Sequence, residues 1–396
     1  MKKHVIHVIT VISVIFLFSA FTVFAEEEMP DEYDQIQESG KCGTYVTWQL
    51  KNHYVKVSEN DYNMTKRSLI ISGTGAMKNY GYQENPFYSW IVDEIIVGEG
   101  VTTVGNYAFF RCDAKKVILP STVKKIGEGA FWNNEKLKNI TIPNKVTSIG
   151  RDAFNENTAL TSITFPSSVK TIGSDAFWGC KKLGTVKFGT GVTTIGSGAF
   201  SMCNSIKTIT LPPSVRYIRS NAFSFCYSLS KVKLNKGLKE IGSEAFRENK
   251  KLTTLVIPDT VTKLGKRMLS YSGIKNITIS KRVKVLPEDM FQRCKKLKKV
   301  KLKKGLTRIG FFAFDDCISL KSLMLPSTLK KIDECAFAGC GFTKIKVPAK
   351  TKTIGKYAFQ YCKKMKSIKI PKKARLIGGK SCVFFECKKK LKIKYY

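Results

Sequence analysis

Histidine is scarce in this sequence. Three of the 396 residues are His, and two of them, His4 and His7, lie in an apolar N-terminal segment. His53 is then the one histidine in the rest of the chain. A Ser-His-Asp triad needs a histidine as its general base, and an HExxH zinc site needs two histidines. We therefore expect a protein that is not an enzyme, with no catalytic residues, no cofactor and no metal ion.

Acidic residues are also few. The chain has 30 Asp and Glu against 68 Lys and Arg, which gives a formal net charge of +38. Most of the excess lies in the last third, where Lys275 to Tyr396 contains 34 basic and 7 acidic residues, a difference of +27. A charge of this size bears on partners and solubility rather than on fold. It favours an acidic partner.

Long apolar runs are limited to one. Val5–Phe24 follows Lys2 and Lys3 and leads to the small residue Ala25, which is typical of a secretory signal peptide over residues 1–25. An uncleaved membrane anchor is the alternative interpretation. No second run of about 18 apolar residues follows. We therefore expect a secreted or cell-surface protein with no membrane span after signal removal.

What the sequence has in abundance is an internal repeat of about 23 residues that starts at Val101. One copy, STVKKIGEGAFWNNEKLKNITIP, covers Ser121–Pro143. Its L-x-x-I-x-I spacing predicts a leucine-rich-repeat strand with Ile140 and Ile142 pointing inward. The Ala-Phe pair, with its Phe in the core, predicts one helical turn. The repeat thus predicts a β-rich α/β solenoid of about 12–13 coils, with a parallel sheet, short helical turns and an N-terminal β cap.

The change from non-repeating to repeating sequence predicts a division of the chain. Residues 45–50 and 68–77 alternate like strands before the repeats begin. The expected segments are a signal peptide (1–25), an acidic flexible N-terminus (26–39), an N-terminal cap (40–100), leucine-rich repeats (101–371), and a degenerate last repeat with a C-terminal cap (372–396).

Most of the 12 cysteines share one position in the repeat. They are Cys112, Cys180, Cys203, Cys226, Cys294, Cys317, Cys340 and Cys362. Asn134, Asn157 and Asn249 occupy the same position in other copies, so pairing is not required there, and we predict buried, reduced thiols in this cysteine ladder. Cys42, Cys335, Cys382 and Cys387 lie outside the pattern. Of these, Cys382 and Cys387 could pair in an oxidising compartment.

Adjacent carboxylates are the remaining candidates for acid-base chemistry. The pairs are Asp315-Asp316 and Asp333-Glu334. Both pairs occupy variable positions of the repeat that are expected to point outward. We therefore interpret them as solvated turns rather than as catalytic pairs.

Lysines fill the outward strand positions of the later coils. This lysine column comprises Lys275, Lys298, Lys299, Lys301, Lys321, Lys344, Lys346, Lys366, Lys369, Lys389, Lys390 and Lys392. Earlier coils have largely neutral residues there, such as Asn139 and Thr164. One interpretation is a solubilising face; the other is a partner-binding face that neutralises regularly spaced anions. A dedicated nucleic-acid partner is less expected, because the strip lacks interleaved aromatic residues for stacking on bases.

The full motif IG-x-x-AF-x-x-C/N-x-x-L-x-x-I-x-I/L-P resembles that of the BspA-type leucine-rich repeat proteins. The N-terminal stretch is similar to theirs as well, at Cys42-Gly43, Thr47-Trp48, Ile71–Met77 and Trp90. The resemblance covers most of the chain. It implies a secreted or surface-bound protein, largely bacterial, that acts in adhesion to matrix proteins, host cells or other microbes. It implies no catalytic residues.

The expected function is therefore non-enzymatic adhesion or binding outside the cell. The partner would be an acidic extracellular-matrix or host surface protein, a glycosaminoglycan, or teichoic acid. The alternatives are an inert wall- or matrix-associated scaffold retained by charge, or a binder of polyanions or extracellular nucleic acid. The LPST segments at residues 119–122 and 325–328 precede apolar residues and no hydrophobic tail, so we do not expect covalent attachment to a cell wall. The oligomeric state is left open.

Overall fold

The computed structural model describes residues 30–58, 61–388 and 390–396. These residues form a parallel β-solenoid of about 14 turns with almost no helix. The strands are β1 (Glu32–Lys41), β2 (Val46–Ser58), β3 (Asp61–Gly73), β4 (Gly75–Ala76), β5 (Glu94–Val97), β6 (Val101–Val104), β7 (Lys116–Ile118), β8 (Lys125–Ile126), β9 (Ser148–Ile149), β10 (Ser162–Thr164), β11 (Thr171–Ile172), β12 (Thr185–Lys187), β13 (Thr194–Ile195), β14 (Thr208–Thr210), β15 (Tyr217–Ile218), β16 (Lys231–Lys233), β17 (Glu240–Ile241), β18 (Thr254–Val256), β19 (Lys263–Leu264), β20 (Asn276–Thr278), β21 (Val285–Leu286), β22 (Lys299–Lys301), β23 (Arg308–Ile309), β24 (Lys331–Ile332), β25 (Lys344–Lys346), β26 (Thr353–Ile354), β27 (Ser367–Ile370), β28 (Arg375–Leu376) and β29 (Lys392–Tyr395), with one helix, α1 (Gly379–Val383).

One face of the solenoid is formed by the L-x-x-I-x-I segments. Ile163 of β10 pairs in parallel with Val186 of β12, and equivalent pairs recur along the stack. This confirms the parallel sheet. This first face is divided into several short sheets. Two of the breaks lie where the segments around Ile140 and Leu323 form no strand, and the others lie between β12 and β14 and between β16 and β18.

A second face is formed by the two-residue strands that precede the repeated glycine. Nine strands from β4 to β19 form one parallel sheet, and five from β21 to β28 form another. Glycine allows close contact between coils where it occurs in this row. A Cβ on Gly173 would lie 2.4 Å from the carbonyl oxygen of Gly150. An alanine at Gly173 would therefore push its coil away from the preceding one, whereas Arg219, Pro287 and Asp333 occupy the equivalent position in other coils.

The Ala-Phe segment does not form the predicted helical turn. Gly129 and Asn133 adopt left-handed backbone conformations, each with φ of 56°. Between them, the N–H of Phe131 donates to the Ala153 carbonyl of the next coil at 2.8 Å, and Asn133 N–H donates to Asn155 at 2.8 Å. A helix would use these groups within one coil, whereas these turns use them to join coils. In the described residues, α-helix is confined to α1.

The core is a column of phenylalanine rings, as the repeat predicted. The Phe177 and Phe200 ring centroids are 5.3 Å apart with planes at 5°, and those of Phe200 and Phe223 are 5.5 Å apart at 4°. Each such contact contributes about 0.5–1.5 kcal/mol beyond the burial of area. Leu269 takes the ring position in one coil and is also fully buried.

The N-terminal segment is antiparallel and then joins the solenoid. Strand β1 pairs with β2 and β2 with β3, while β3 pairs in parallel with β5. Residues 32–39, which the sequence led us to expect as flexible, belong to the ordered strand β1. Residues 1–25, the predicted signal peptide, lie outside the described residues. The division of the chain at 25, 39, 100 and 371 stays a prediction.

Candidate binding face

The described lysines of the lysine column are exposed on the first face. In β25, Lys344 and Lys346 point outward on either side of the buried Ile345. The strand alternation that buries every second residue thus directs both ammonium groups to the same side. Lys299 and Lys301 of β22 have the same arrangement.

The strand register brings several of these lysines next to one another. Lys346 pairs with Lys369, and Lys369 pairs with Lys394. Adjacent strands are about 4.8 Å apart, so these three side chains form a continuous row. Lys344 pairs with Ser367, which in turn pairs with Lys392.

Other members of the column are placed differently. Lys275, Lys298 and Lys366 lie before strands, in exposed positions next to the face, and Lys321 is exposed before residues 322–324, which form no strand. Lys390 is exposed ahead of β29, and Lys389 lies outside the described residues. The uncharged residues 322–324 separate the strand lysines of β22 from those of β25. The column is therefore two clusters rather than one continuous comb.

The charges of the column are not neutralised within the described part of the chain. The lysines that form ion pairs there are others, for example Lys263 with Glu240 at 3.1 Å and Lys303 with Asp259 at 2.8 Å. Like charges facing each other across neighbouring strands are destabilising. An anion bound on this face would relieve that repulsion.

Some lysines of the same face were not predicted from the sequence. Lys394 belongs to the row of Lys346 and Lys369. Lys231 and Lys233 occupy equivalent strand positions in an earlier coil, opposite Thr208 and Thr210. The L-x-x-I-x-I register contained the signal for all of them. The face is therefore most basic, though not uniquely basic, in the last coils.

A groove of about 780 Å³ opens in this face beside the interrupted coil. Leu323, Met324 and Pro348 contribute apolar surface, and the Met324 side chain is 87% exposed. The Tyr396 ring closes one side, with the Lys346 ammonium 4.9 Å from its centroid. No Asp or Glu side chain of the described residues lines this groove. The lysines that line it were predicted from the sequence, but its apolar residues were not.

The cysteine ladder is structural. Each of its thiols donates to a backbone carbonyl of the preceding coil, such as Cys180 to Phe154 at 3.2 Å, and Asn157 makes the equivalent bond to Phe131 at 2.8 Å. Cys387 makes the same contact, to Phe359 at 3.0 Å, so the sequence was wrong to place it outside the ladder. All 12 cysteines are free in the structure, Cys382 and Cys387 among them.

The carboxylates are more buried than the sequence suggested. Asp333 is 1% exposed, with Oδ2 2.6 Å from Arg308 Nε and Oδ1 3.2 Å from Lys331 Nζ. The interpretation of Asp333 as a solvated turn residue is wrong. Burial, reinforced by the neighbouring charge of Asp316, raises the pKa of Asp315 to about 6. Asp333 joins neighbouring coils through its contact with Arg308, and none of these carboxylates lines the groove.

His53 lies in β2, with Nδ1 2.9 Å from Asp34 Oδ1 on β1. Among the described residues, no group of three or more His, Cys, Asp or Glu side chains is arranged to hold a metal ion. None of the helices in that part of the chain has the length and apolar character needed to cross a membrane.

Comparison with known proteins agrees with this architecture. A profile of the BspA type leucine rich repeat region matches in six copies, over residues 82–203, 175–298 and 285–395. A search of curated protein sequences gives no match.

Solved structures of bacterial leucine-rich repeat proteins are similar in fold. A leucine-rich repeat protein from Bacteroides ovatus is 26% identical over 87% of this chain and 97% of its own, with a TM-score of 0.64. A leucine rich cell surface protein from Faecalibacterium prausnitzii is 22% identical over 88% of this chain and 97% of its own, with a TM-score of 0.47. The pneumococcal vaccine antigen PcpA is 20% identical over 91% of this chain and 89% of its own, with a TM-score of 0.43.

Proposed function

Since the chain belongs to the BspA-type leucine-rich repeat family, we propose that it is a secreted or surface-associated binding protein without enzymatic activity. Its lysine column attaches it to an acidic partner outside the cell. That partner is an acidic extracellular-matrix or host surface protein, a glycosaminoglycan, or teichoic acid. The family and fold are those of binding scaffolds, consistent with adhesion.

The observation that carries this proposal is the row Lys346, Lys369 and Lys394 on adjacent strands. One exposed lysine contributes little, because solvent and salt screen it beyond about 8 Å. Several at the spacing of strands neutralise neighbouring anions together and release their counterions. Binding by such a row is strong at low salt and falls steeply as salt rises.

Substitution of five lysines of the column, two of which belong to this row, separates binding from solubility. The test variant replaces Lys299, Lys301, Lys344, Lys346 and Lys369 with Thr, the residue that occupies several equivalent earlier positions. A matched control, which loses the same charge, replaces Lys239, Lys284, Lys330, Lys352 and Lys373, exposed lysines at or beside the second face.

Binding of residues 26–396 to heparin and to teichoic acid is measured as a function of salt. The test variant should lose most binding at about 150 mM salt and show a shallower dependence on salt, while the control keeps both. Equal binding by parent and test variant would assign the charge to solubility, as expected of an inert scaffold.

A further inference from the structure

The groove combines an apolar floor with a basic rim. Binding of a polyanion uses only the rim. Its floor is apolar, with Met324 87% exposed between the buried side chains of Leu323 and Leu325. Its rim carries the ammonium groups of Lys344, Lys346 and Lys369, none of which forms an ion pair with another described residue. Covering exposed apolar surface with an apolar group of a partner is favourable by about 25 cal/mol per Å² of surface removed from water.

The groove exists because one coil departs from the repeat. Residues 322–324 form no strand between β22 and β25. In the neighbouring coils the residue after the central isoleucine or valine is a lysine, Lys301 or Lys346, but here it is Met324. An apolar side chain thus replaces a charged one in the middle of the basic face.

We propose that this groove binds an extended acidic segment of a protein partner. An apolar side chain of that segment covers Met324, and its carboxylates pair with Lys344, Lys346 and Lys369. The inference rests on the proposed function of the lysine column and narrows its partner to a protein.

The spacing of the rim fits an extended peptide. Lys344 and Lys346 are two residues apart on one strand, about 6.6 Å at 3.3 Å per residue. Side chains at alternate positions of an extended peptide have the same period. A segment that lies between β25 and residues 322–324 can therefore turn the carboxylates of residues i and i+2 towards Lys344 and Lys346. The intervening apolar side chain then points to the opposite side, towards Met324. A sulfated or phosphorylated polymer matches the charges but leaves the floor exposed.

The test compares two fluorescent peptides, EDELEDE and EDESEDE, which have the same charge and differ in the central side chain. The parent protein should bind the leucine peptide at least about tenfold more tightly, measured by anisotropy at low salt. Met324→Ser should remove this preference and leave heparin retention unchanged. Since Met324 is exposed, thermal unfolding should not change.

A charge variant completes the test. Replacement of Lys344, Lys346 and Lys369 with Thr should weaken binding of both peptides at least about tenfold. The matched control, Lys330, Lys352 and Lys373 to Thr, should bind as the parent does.

The outcomes separate the two proposals. If the parent binds both peptides with equal affinity and still binds heparin, the proposal of peptide binding in the groove is overturned, and the lysine column remains a polyanion-binding face. A preference for the leucine peptide that persists in Met324→Ser would also overturn the proposal. If the lysine variants keep both heparin binding and peptide binding, the proposed function itself is overturned.

Discussion

The thiol of Cys180 donates a hydrogen bond to the carbonyl oxygen of Phe154, at 3.2 Å, from one coil to the one before it. Asn157 makes the same bond to Phe131 at 2.8 Å. Cysteine and asparagine are therefore equivalent donors at this position. Asparagine differs in adding an oxygen that needs a partner of its own.

The first prediction uses that difference. Asn134 Oδ1 accepts from Ala114 N–H at 3.1 Å, whereas Asn157 Oδ1 has no partner among the described residues. Asn157→Cys should therefore change the free energy of unfolding by less than about 1 kcal/mol, and Asn134→Cys should cost about 1–3 kcal/mol because a buried N–H is left unpaired. Denaturant unfolding of both variants checks this, with Asn157→Ala as a destabilised control. Equal costs for the two cysteine variants would contradict it.

The second prediction concerns thiol reactivity. Burial raises the pKa of Cys226 and of Cys294 to about 12 each, so almost no thiolate is present at pH 8. Cys382 and Cys387 are partly exposed, and a hydrogen bond from Cys362 lowers the pKa of Cys387.

Native protein at pH 8 should accordingly be alkylated first at Cys382 and Cys387. The other ten should react on unfolding. Peptide mass spectrometry after timed alkylation measures this order. A disulfide between Cys203 and Cys226 in most molecules would show that the ladder is not a row of free thiols.

The third prediction concerns the aromatic column. Phe200 is fully buried between two stacked rings. Phe200→Ala should cost about 3–5 kcal/mol because it leaves a cavity. Phe200→Leu should cost clearly less, since Leu269 already occupies that position in another coil. Thermal and denaturant unfolding provide the comparison, and equal losses for the two variants would argue against a cavity as the cause.

The fourth prediction follows from Asp315. Its pKa is raised from 3.8 to about 6 in the folded protein, so the folded state binds the proton more tightly than the unfolded state does. Ionisation therefore opposes folding increasingly as the pH rises from about 4 to 6, and fully above 6. Asp315→Asn removes this cost.

Asp315→Asn should raise the free energy of unfolding at pH 7.5 by about 1 kcal/mol, a value reduced for the partial exposure of the carboxyl group. The gain should shrink as the pH falls through 6 and be absent near pH 4. Urea unfolding at three pH values measures it. Asp316→Asn should give a smaller gain of the same sign, because the Asp316 charge contributes to the raised pKa of Asp315. A gain that is independent of pH would contradict the proposed cause.

The sequence by itself determined the repeat unit and therefore the solenoid. The 23-residue spacing of Ile163, Val186 and their equivalents set the parallel sheet, because each coil repeats the same path and returns its strand in the same direction. Because asparagine occupies the cysteine position in other copies of the repeat, the sequence also identified the ladder cysteines as buried, unpaired residues. The lysine column could be predicted because side chains alternate along a strand.

Only the tertiary structure decided how coils meet. The Ala-Phe segment predicts a helical turn from the sequence. In the stack, however, N–H groups of this segment donate to carbonyls of the next coil, and Gly129 and Asn133 adopt left-handed conformations that allow this. Asp333 became buried because Arg308, on the neighbouring coil, supplies its partner. The groove at Met324 likewise depends on the missing strand between β22 and β25. Each of these depends on contacts between residues about 23 positions apart or more, which local sequence patterns do not encode.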